Sequence, residues 1–533
     1  MEQRAERAPD RYLVPLAHHA LEAAGGAGDP LRAAELAEKA ASAAGAVLAY
    51  EDAAALLRRA GSMLGRRGGA VERQAEVECL LGEMLQRAGL GDEAGQALSQ
   101  ASALARAAGR SDLVARSALG LGGVGVTILG ADPELVSQLE QALSALGPDH
   151  PELGVRLLAR LAIELAYEPD PSRRNAISAE ALALARRTRD PAALAAALSA
   201  RHVTIWGPEG CSERLELARE MLALAQQAGD RELALQARNW RIVDLLELGD
   251  GRAMRHEVDA YAELSVQARL PAFAWYVPLW RATLALLEGR IAEGVDLSHR
   301  ARDLGRQAGD ANANGFFAEQ MMLRMVVQGR IRDLDPADAG VDVDVAARAH
   351  TGPAWRAFRF TFAWWHAERD ELDQAREDFE AAIADGLSTL PRDVNWLAAL
   401  TSATEACVLL EDLARARELR ALLEPYAKRM VATARGASCG GSVAYLLARL
   451  AALCGDLDAA DQMFEQAQQR DERVGAPAFV LRDLRAHERF FRSAGRHSRA
   501  DELLRRGADL ALSLGLDVAL GDDRPPEPQR LPA

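Results

Sequence analysis

Glycine, proline and aspartate punctuate this chain at a nearly constant step of about 40 residues, and an internal period of that length points to stacked repeats before any other fold is considered. One series of turn signals runs through Gly109, Pro148 to Pro151, Asp190 with Pro191, Gly229 with Asp230, Pro271, Gly309 with Asp310, Gly352 with Pro353, and Pro391. A second series lies midway, at Gly130, Pro169 with Asp170, Gly207 to Gly210, Gly249 with Asp250, Gly289, Gly329 and Asp370. The stretches between consecutive signals are rich in Ala and Leu, both strong helix formers, and each is long enough for one helix of four to five turns. Glycine at a helix end relieves left-handed strain, and Asp or Pro just after it starts the next helix. Two helices per period make a hairpin that cannot bury its own apolar face, so neighbouring units must stack.

Residue spacing inside the units follows the tetratricopeptide pattern. One unit carries Leu81, Gly82 and Leu85, then Ala94, Leu98 and Ala101. Another carries Leu447, Ala448 and Ala451, then Ala460, Phe464 and Ala467; a third has Phe362, Ala363, Ala375, Phe379 and Ala382. Small residues at these places let paired helices approach closely, and larger ones fill the space between units. The fold predicted is all-α, a right-handed α-solenoid of about 12 tetratricopeptide-like helical hairpins. A chain of 533 residues would ordinarily form three or four domains, but no linker composition splits its middle. One continuous superhelix over residues 30–515 is therefore predicted, with residues 1–29 as an N-terminal helix or cap and 516–533 as a disordered tail. The pattern blurs twice. Arg332 to Arg348 carries Asp333, Asp335, Asp338, Asp342 and Asp344 with Pro336 and Gly340, which predicts an irregular or shortened helix. The Gly-rich run Arg435 to Ser442 breaks the register by a few residues.

Charge and composition exclude several functions. The net charge is −15, with acidic and basic residues alternating along helices, so direct nucleic-acid binding is not expected. The five cysteines, Cys79, Cys211, Cys407, Cys439 and Cys454, form no C-x-x-C pair and read as buried free thiols. Met1 to Asp10 lacks an apolar signal core. The longest uncharged run, Ser117 to Ala131, is shorter than the roughly 20 residues of a membrane span. A cytoplasmic location without membrane contact is expected.

Several stretches carry a further resemblance. They are Leu16 to Ala24 (LAHHALEAA), Ala49 to Ala54 (AYEDAA), Ala118 to Gly123 (ALGLGG) with Asp132 to Val136 (DPELV), and Leu390 to Ala398 (LPRDVNWLA); Pro425 to Ala427 and Gly441 to Val443 belong to the same pattern. On these the chain resembles, from about Tyr12 to about Leu514, the C-terminal tetratricopeptide-like repeat region of large bacterial ATP-binding signalling and transcription regulators, of the LuxR type or the antibiotic-regulator type. The resemblance implies a regulator in which an ATPase precedes the repeats and a helix-turn-helix often follows. This chain departs from that plan. Its two lysines, Lys39 and Lys428, follow Glu38 and Ala427, so no G-K-[ST] phosphate loop exists, and no basic recognition helix follows Leu514. The expectation is a freestanding module or a fragment of a longer polypeptide.

Motifs with catalytic associations lack their structural context. Gly120, Gly122 and Gly125 match G-x-G-x-x-G but lie inside a helical repeat, and Gly436, Ser438 and Gly440 match G-x-S-x-G without the strand–turn–helix of a nucleophile elbow. The amides near Gly440 to Ser442, at a helix start, remain an alternative anion site. His18 with His19, His366 with Glu368, and the aspartates from Asp333 to Asp344 fail zinc and calcium ligand spacing. No cofactor, metal or catalytic residue is assigned. One constellation stands out. All eight tryptophans lie between Trp206 and Trp396, and Trp240 and Trp280 are 40 residues apart. Arg201, Arg241 and Arg281 form a parallel ladder, and Phe360 takes the Trp280 position two units later. Equivalent positions of a solenoid share one surface. A groove offering guanidinium forks beside aromatic faces would suit an acidic peptide, a carboxylate or a phosphate; core packing of the tryptophans with ion pairing of the arginines is the alternative. The function expected is a non-catalytic scaffold or sensor binding a protein, a peptide or a small effector. A regulator acting through separate ATPase or DNA-binding domains, and an enzyme with its site in the groove, are kept as alternatives.

Overall fold

Each helix junction is set by a short-range capping device. At Gly249 the backbone turns left-handed (φ 78°) and its N–H reaches back to Leu246, ending the helix Arg231–Leu248. The next residue, Asp250, accepts the backbone N–H of Ala253 at 3.0 Å and starts the helix Gly251–Ala268. Gly229 with Asp230 repeats the arrangement, while Asp132, Asp170 and Asp190 cap helices that open with proline. The structure, a computed structural model, describes residues 9–26, 28–122, 132–168, 170–335, 337 and 353–516. Within these residues the chain is an all-α helical-repeat solenoid in which successive helices pack antiparallel, apart from one two-stranded hairpin.

The signature positions are where close packing needs them. Leu81, Leu85, Ala94, Leu98 and Ala101 are buried, as are Leu447, Ala448, Ala451, Ala460, Phe464 and Ala467. A Cβ at Gly82 would lie 2.4 Å from Leu98 Cγ, so glycine there sets the separation of the helices Val71–Ala88 and Gly91–Ala107. Ile331–Asp333 form a single 3₁₀ turn. Most of residues 336–352, and all beyond 516, lie outside the described residues.

Units far apart in sequence touch. Arg255 donates to the carbonyls of Val474 (2.7 Å) and Gly475 (3.0 Å), 219 and 220 residues away. Glu209 accepts from Arg392 Nε (2.8 Å) and from the Tyr426 hydroxyl (2.7 Å). Between these clasps sits the hairpin, β1 (Met430–Thr433) antiparallel to β2 (Ser438–Ser442), with Thr433 opposite Ser438 and a bulge after Met430. The Gly-rich run is therefore more than a slip of register: it folds as an ordered strand and turn. Met430, Val431, Ala437 and Cys439 are buried among helices, so this small sheet hides its edges.

Two glycines test this account in opposite directions. A Cβ at Gly251 would meet the Val474 carbonyl oxygen at 2.1 Å, whereas one at Gly95 meets nothing within 4 Å. Gly251→Ala should destabilise by about 1–3 kcal/mol and open the 251–474 contact to limited proteolysis. Gly95→Ala, inside the helix Gly91–Ala107, should stabilise by about 0.5–1 kcal/mol. Urea unfolding of both variants is the check, and equal effects would refute the contact.

Candidate functional site

The tryptophan ladder converges on the tip of the hairpin. Trp240 and Trp280 are fully buried. Trp240 donates to the Ser199 hydroxyl (3.1 Å) and stacks on His202, with ring centroids 4.8 Å apart. Trp280 donates to the Arg435 carbonyl (3.1 Å) and lies edge-on to Tyr261. The Thr283 hydroxyl donates to the Ala437 carbonyl (2.6 Å), so two side chains of the helix Tyr276–Leu287 hold the tip by its backbone. Phe360 is buried too, but in a separate cluster against Phe379.

The arginine ladder meets carboxylates, mainly on the second helix of each unit. Arg241 donates to Glu257 at 2.7 and 3.0 Å, and Glu257 also receives Arg238. Arg201 lies 3.5 Å from Glu213. Arg281 is 3.9 Å from Asp259, with 49% of its side chain exposed. The structure thus brings Trp240 and Trp280 to one place and leaves Arg201 and Arg281 in loose pairs.

Sequence reasoning missed the residue at the centre. Arg435 puts its guanidinium 4.9 Å from the Trp240 ring and 5.1 Å from the Tyr276 ring, and donates to the Tyr276 hydroxyl (2.7 Å). Its backbone is left-handed (φ 58°), as is that of Ala434 (φ 46°). Two successive non-glycine residues in that region carry strain that the surrounding contacts must hold. Behind Trp240 lies a buried ion network: His202 Nε2 is 2.8 Å from Asp244, Arg214 donates to Asp244 (2.9 Å) and also to Glu247. Burial pushes the His202 imidazole below its usual range and keeps it neutral.

The tip also walls a cleft between helices. Arg174, Val203, Trp206, Asp393, Asn395 and Arg435 line it, around a cavity of about 30 Å³ that is partly open to solvent. Asp393 accepts the Asn395 backbone N–H at 2.9 Å. The pattern LPRDVNW contains this aspartate, but nothing in its spacing reveals the Arg174 that acts on it.

The motifs with catalytic associations are placed as follows. Ser438 of the G-x-S-x-G match is buried in β2, opposite Thr433. The Gly440 carbonyl accepts from Arg482 (3.1 Å), and Ser442 precedes the helix Val443–Leu453 without a side-chain cap. Gly120 and Gly122 end the helix Ser111–Leu121; Gly125 lies outside the described residues, as do Asp338, Asp342 and Asp344. His18 and His19 are exposed. Among the described residues no group of three His, Cys, Asp or Glu side chains could hold a metal, and no helix is long and apolar enough to cross a membrane. Cys211, His202 and Asp244 are neighbours, but Cys211 donates to the Asp244 carbonyl and all three are buried. Burial pushes the Cys79 thiol up to about 11 and those of Cys407 and Cys439 up to about 12, the reverse of an activated nucleophile.

Comparison with protein-family models and with curated proteins finds no match. Among solved structures the chain is similar to a Rap protein complexed with competence and sporulation factor (11% identity over 84% of this chain and 99% of that one, TM-score 0.33). It is also similar to yeast Tom70 (13%, 92% and 100%, TM-score 0.33) and to a human IFIT1 dimer with m7Gppp-AAAA (11%, 86% and 95%, TM-score 0.36). At these scores the likenesses bear on neither ligand nor partner.

Burial raises the Asp393 carboxyl to about 6, against the pull of the Asn395 N–H and Arg174. The folded chain therefore keeps this proton to about pH 6, while the unfolded chain releases it near pH 4. Ionised Asp393 costs stability above pH 6, and the cost disappears below pH 4. Asp393→Asn should accordingly stabilise by on the order of 2–3 kcal/mol at pH 7.5 and by nothing at pH 4. Urea titrations at the two pH values check this; an equal gain at both would contradict it.

Proposed function

We propose that this chain is a non-catalytic scaffold or sensor arm of a bacterial cytoplasmic regulator, acting in signal transduction or transcriptional control. Residues 30–515 act as one superhelix capped by residues 1–29, and an acidic protein or peptide partner lies along the surface that carries Arg201, Arg241 and Arg281. The observation that carries this reading is the ladder itself. Three arginines at equivalent positions, 40 residues apart, sit on a solenoid whose units are stacked in series. Arg281 is half exposed, and the Arg201 and Arg281 pairs are long. Solvated pairs of this kind contribute about 0–1 kcal/mol, so a partner's carboxylates can replace them with little penalty. Arg241 is the firm member, since Glu257 holds it through two hydrogen bonds. The stretches LPRDVNWLA and DPELV, on which the sequence resembles regulators of the LuxR and antibiotic-regulator types, support the regulatory assignment.

The test reverses charge where the fold is least committed. The Arg201→Glu/Arg281→Glu double variant should keep the wild-type circular dichroism and melting temperature. It should lose the partner that immobilised wild-type chain retains from native lysate, identified by mass spectrometry. Retention of the same partner by both chains would remove the arginine surface from the reading.

A further inference from the structure

A carboxylate leaves water at high cost unless cations or hydrogen-bond donors receive it, so two of them buried side by side need a physical reason. Asp471, in the helix Leu457–Val474, and Asp483, in the helix Pro477–Ser493, are both fully buried. Their carboxyl groups lie within hydrogen-bonding reach of each other. Yet both oxygens of Asp471, and Oδ2 of Asp483, are buried without a donor. Among the described residues Arg482 is the one cation within 4.0 Å of either carboxyl. Its charge is already shared out. It donates to Asp483 (3.2 Å) and to the Gly440 carbonyl (3.1 Å), lies 3.8 Å from the centre of the Tyr445 ring, and comes only to 3.9 Å from Asp471. The remaining polar groups on the packed elements do not fill the deficit. Arg470 turns to the Lys428 carbonyl (3.2 Å), and Arg449 pairs with Glu405 (3.4 Å) and donates to the Tyr445 hydroxyl. Cys439 of β2 is a buried thiol, and Arg255, on the preceding turn of the superhelix, is committed to the carbonyls of Val474 and Gly475.

We infer that Asp471 and Asp483 share a single proton, and that this proton is a pH-operated catch on the closed superhelix. A proton on Asp471 supplies the missing donor, Asp483 accepts it, and Arg482 balances the one charge that remains. Without that proton two anions would stand against one cation in the low-dielectric interior. The place of the pair in the fold makes it a catch. The Ala476 N–H donates to the Asp471 carbonyl (2.8 Å), and the carbonyls of Val474 and Gly475 that Arg255 holds belong to the same turn. On the other side Arg482 holds the Gly440 carbonyl of β2. Repulsion within the pair therefore acts on the joint that carries both the clasp between turns and the hairpin. Burial and the adjacent Asp483 carboxylate push the Asp471 carboxyl well above the usual carboxylate range. Asp483 rises less, because Arg482 opposes the effect of burial there. The closed chain thus keeps a proton that an opened, hydrated pair releases near about pH 4. Through this pair, closure is firmest at acid pH and weakens as pH rises. The opening equilibrium gains up to about tenfold per pH unit, until the buried pair itself ionises. The catch goes beyond the arginine surface proposed above and does not depend on it.

The experiment is hydrogen exchange of the full chain, read by mass spectrometry over peptides covering residues 470–490, at pH 6.5, 7.5 and 8.5. Asp471→Asn keeps a donor for Asp483 at every pH, and the ratio of wild-type to variant exchange at one pH cancels the intrinsic chemistry of exchange. That ratio should rise with pH, by up to about tenfold per unit. Peptides from the helix Val71–Ala88 should show a constant ratio. Asp483→Asn, which leaves one carboxyl beside Arg482, should flatten the pH dependence as well and gives the same test on the other partner. A second readout does not depend on stability. The C=O stretch of protonated carboxyl groups in the infrared spectrum of the wild type at pH 7.5 should lose one group in either variant. A merely structural role for these residues would change exchange by the same factor at every pH. The inference is overturned if the exchange ratio stays constant or falls as pH rises, or if the infrared band is the same in the wild type and both variants.

Discussion

Close approach of neighbouring helices is the constraint on which the rest of this molecule depends. Glycine and alanine at the signature positions let helix pairs approach until, as at Gly82 and Leu98, no Cβ would fit between them. Each unit adds its own rotation, and the accumulated turn brings the helix Gly251–Ala268 against residues 474 and 475. Only because the superhelix closes this far can a hairpin near residue 435 meet tryptophans near residues 240 and 280. The site is thus a product of the repeat geometry summed over about 200 residues.

That summation separates what is legible in the sequence from what is not. Capping is local: Gly249 and Asp250 act within one turn of helix, so a 40-residue period of such pairs is visible by eye. The apolar signature is local as well, and Leu98, Ala101 and Phe464 are buried as their spacing predicts. The equivalence of Trp240 and Trp280 is also legible, since it follows from the period. Their burial against a hairpin is not, because the Trp280 indole and the Arg435 carbonyl are 155 residues apart. Composition hides the hairpin too. A Gly-rich segment with one Val and three Thr or Ser positions over residues 430–442 reads as a loop, and its strands persist because helices enclose them. The arginine ladder is half legible: the spacing of Arg201, Arg241 and Arg281 is plain, but the Glu257 that holds Arg241 could be matched to it only with the helix pairing known.

The network behind Trp240 shows how much polar chemistry the interior carries. Arg214, Asp244, Glu247 and His202 are buried together, with one cation against two carboxylates and a neutral imidazole. Burial raises Glu247, which eases the one negative charge that Arg214 leaves uncompensated. Such groups contribute little net stability, because desolvation offsets their attraction. Their geometric demand is strict, however. Each bond fixes the rotation of the helix Arg231–Leu248 against the helix Cys211–Ala228, and hence the plane of the Trp240 ring that Arg435 meets.

The cleft lined by Arg174 and Arg435 shows the same dependence on distant segments. Arg174 belongs to the helix Pro171–Thr188, and Arg435 to a turn held by the helix Tyr276–Leu287. Asp393, between them, precedes the helix Trp396–Leu409, whose neighbour in space is β1. These segments are otherwise connected only through the long path of stacked repeats, so the cleft they line exists only because the accumulated turn of the superhelix brings them together.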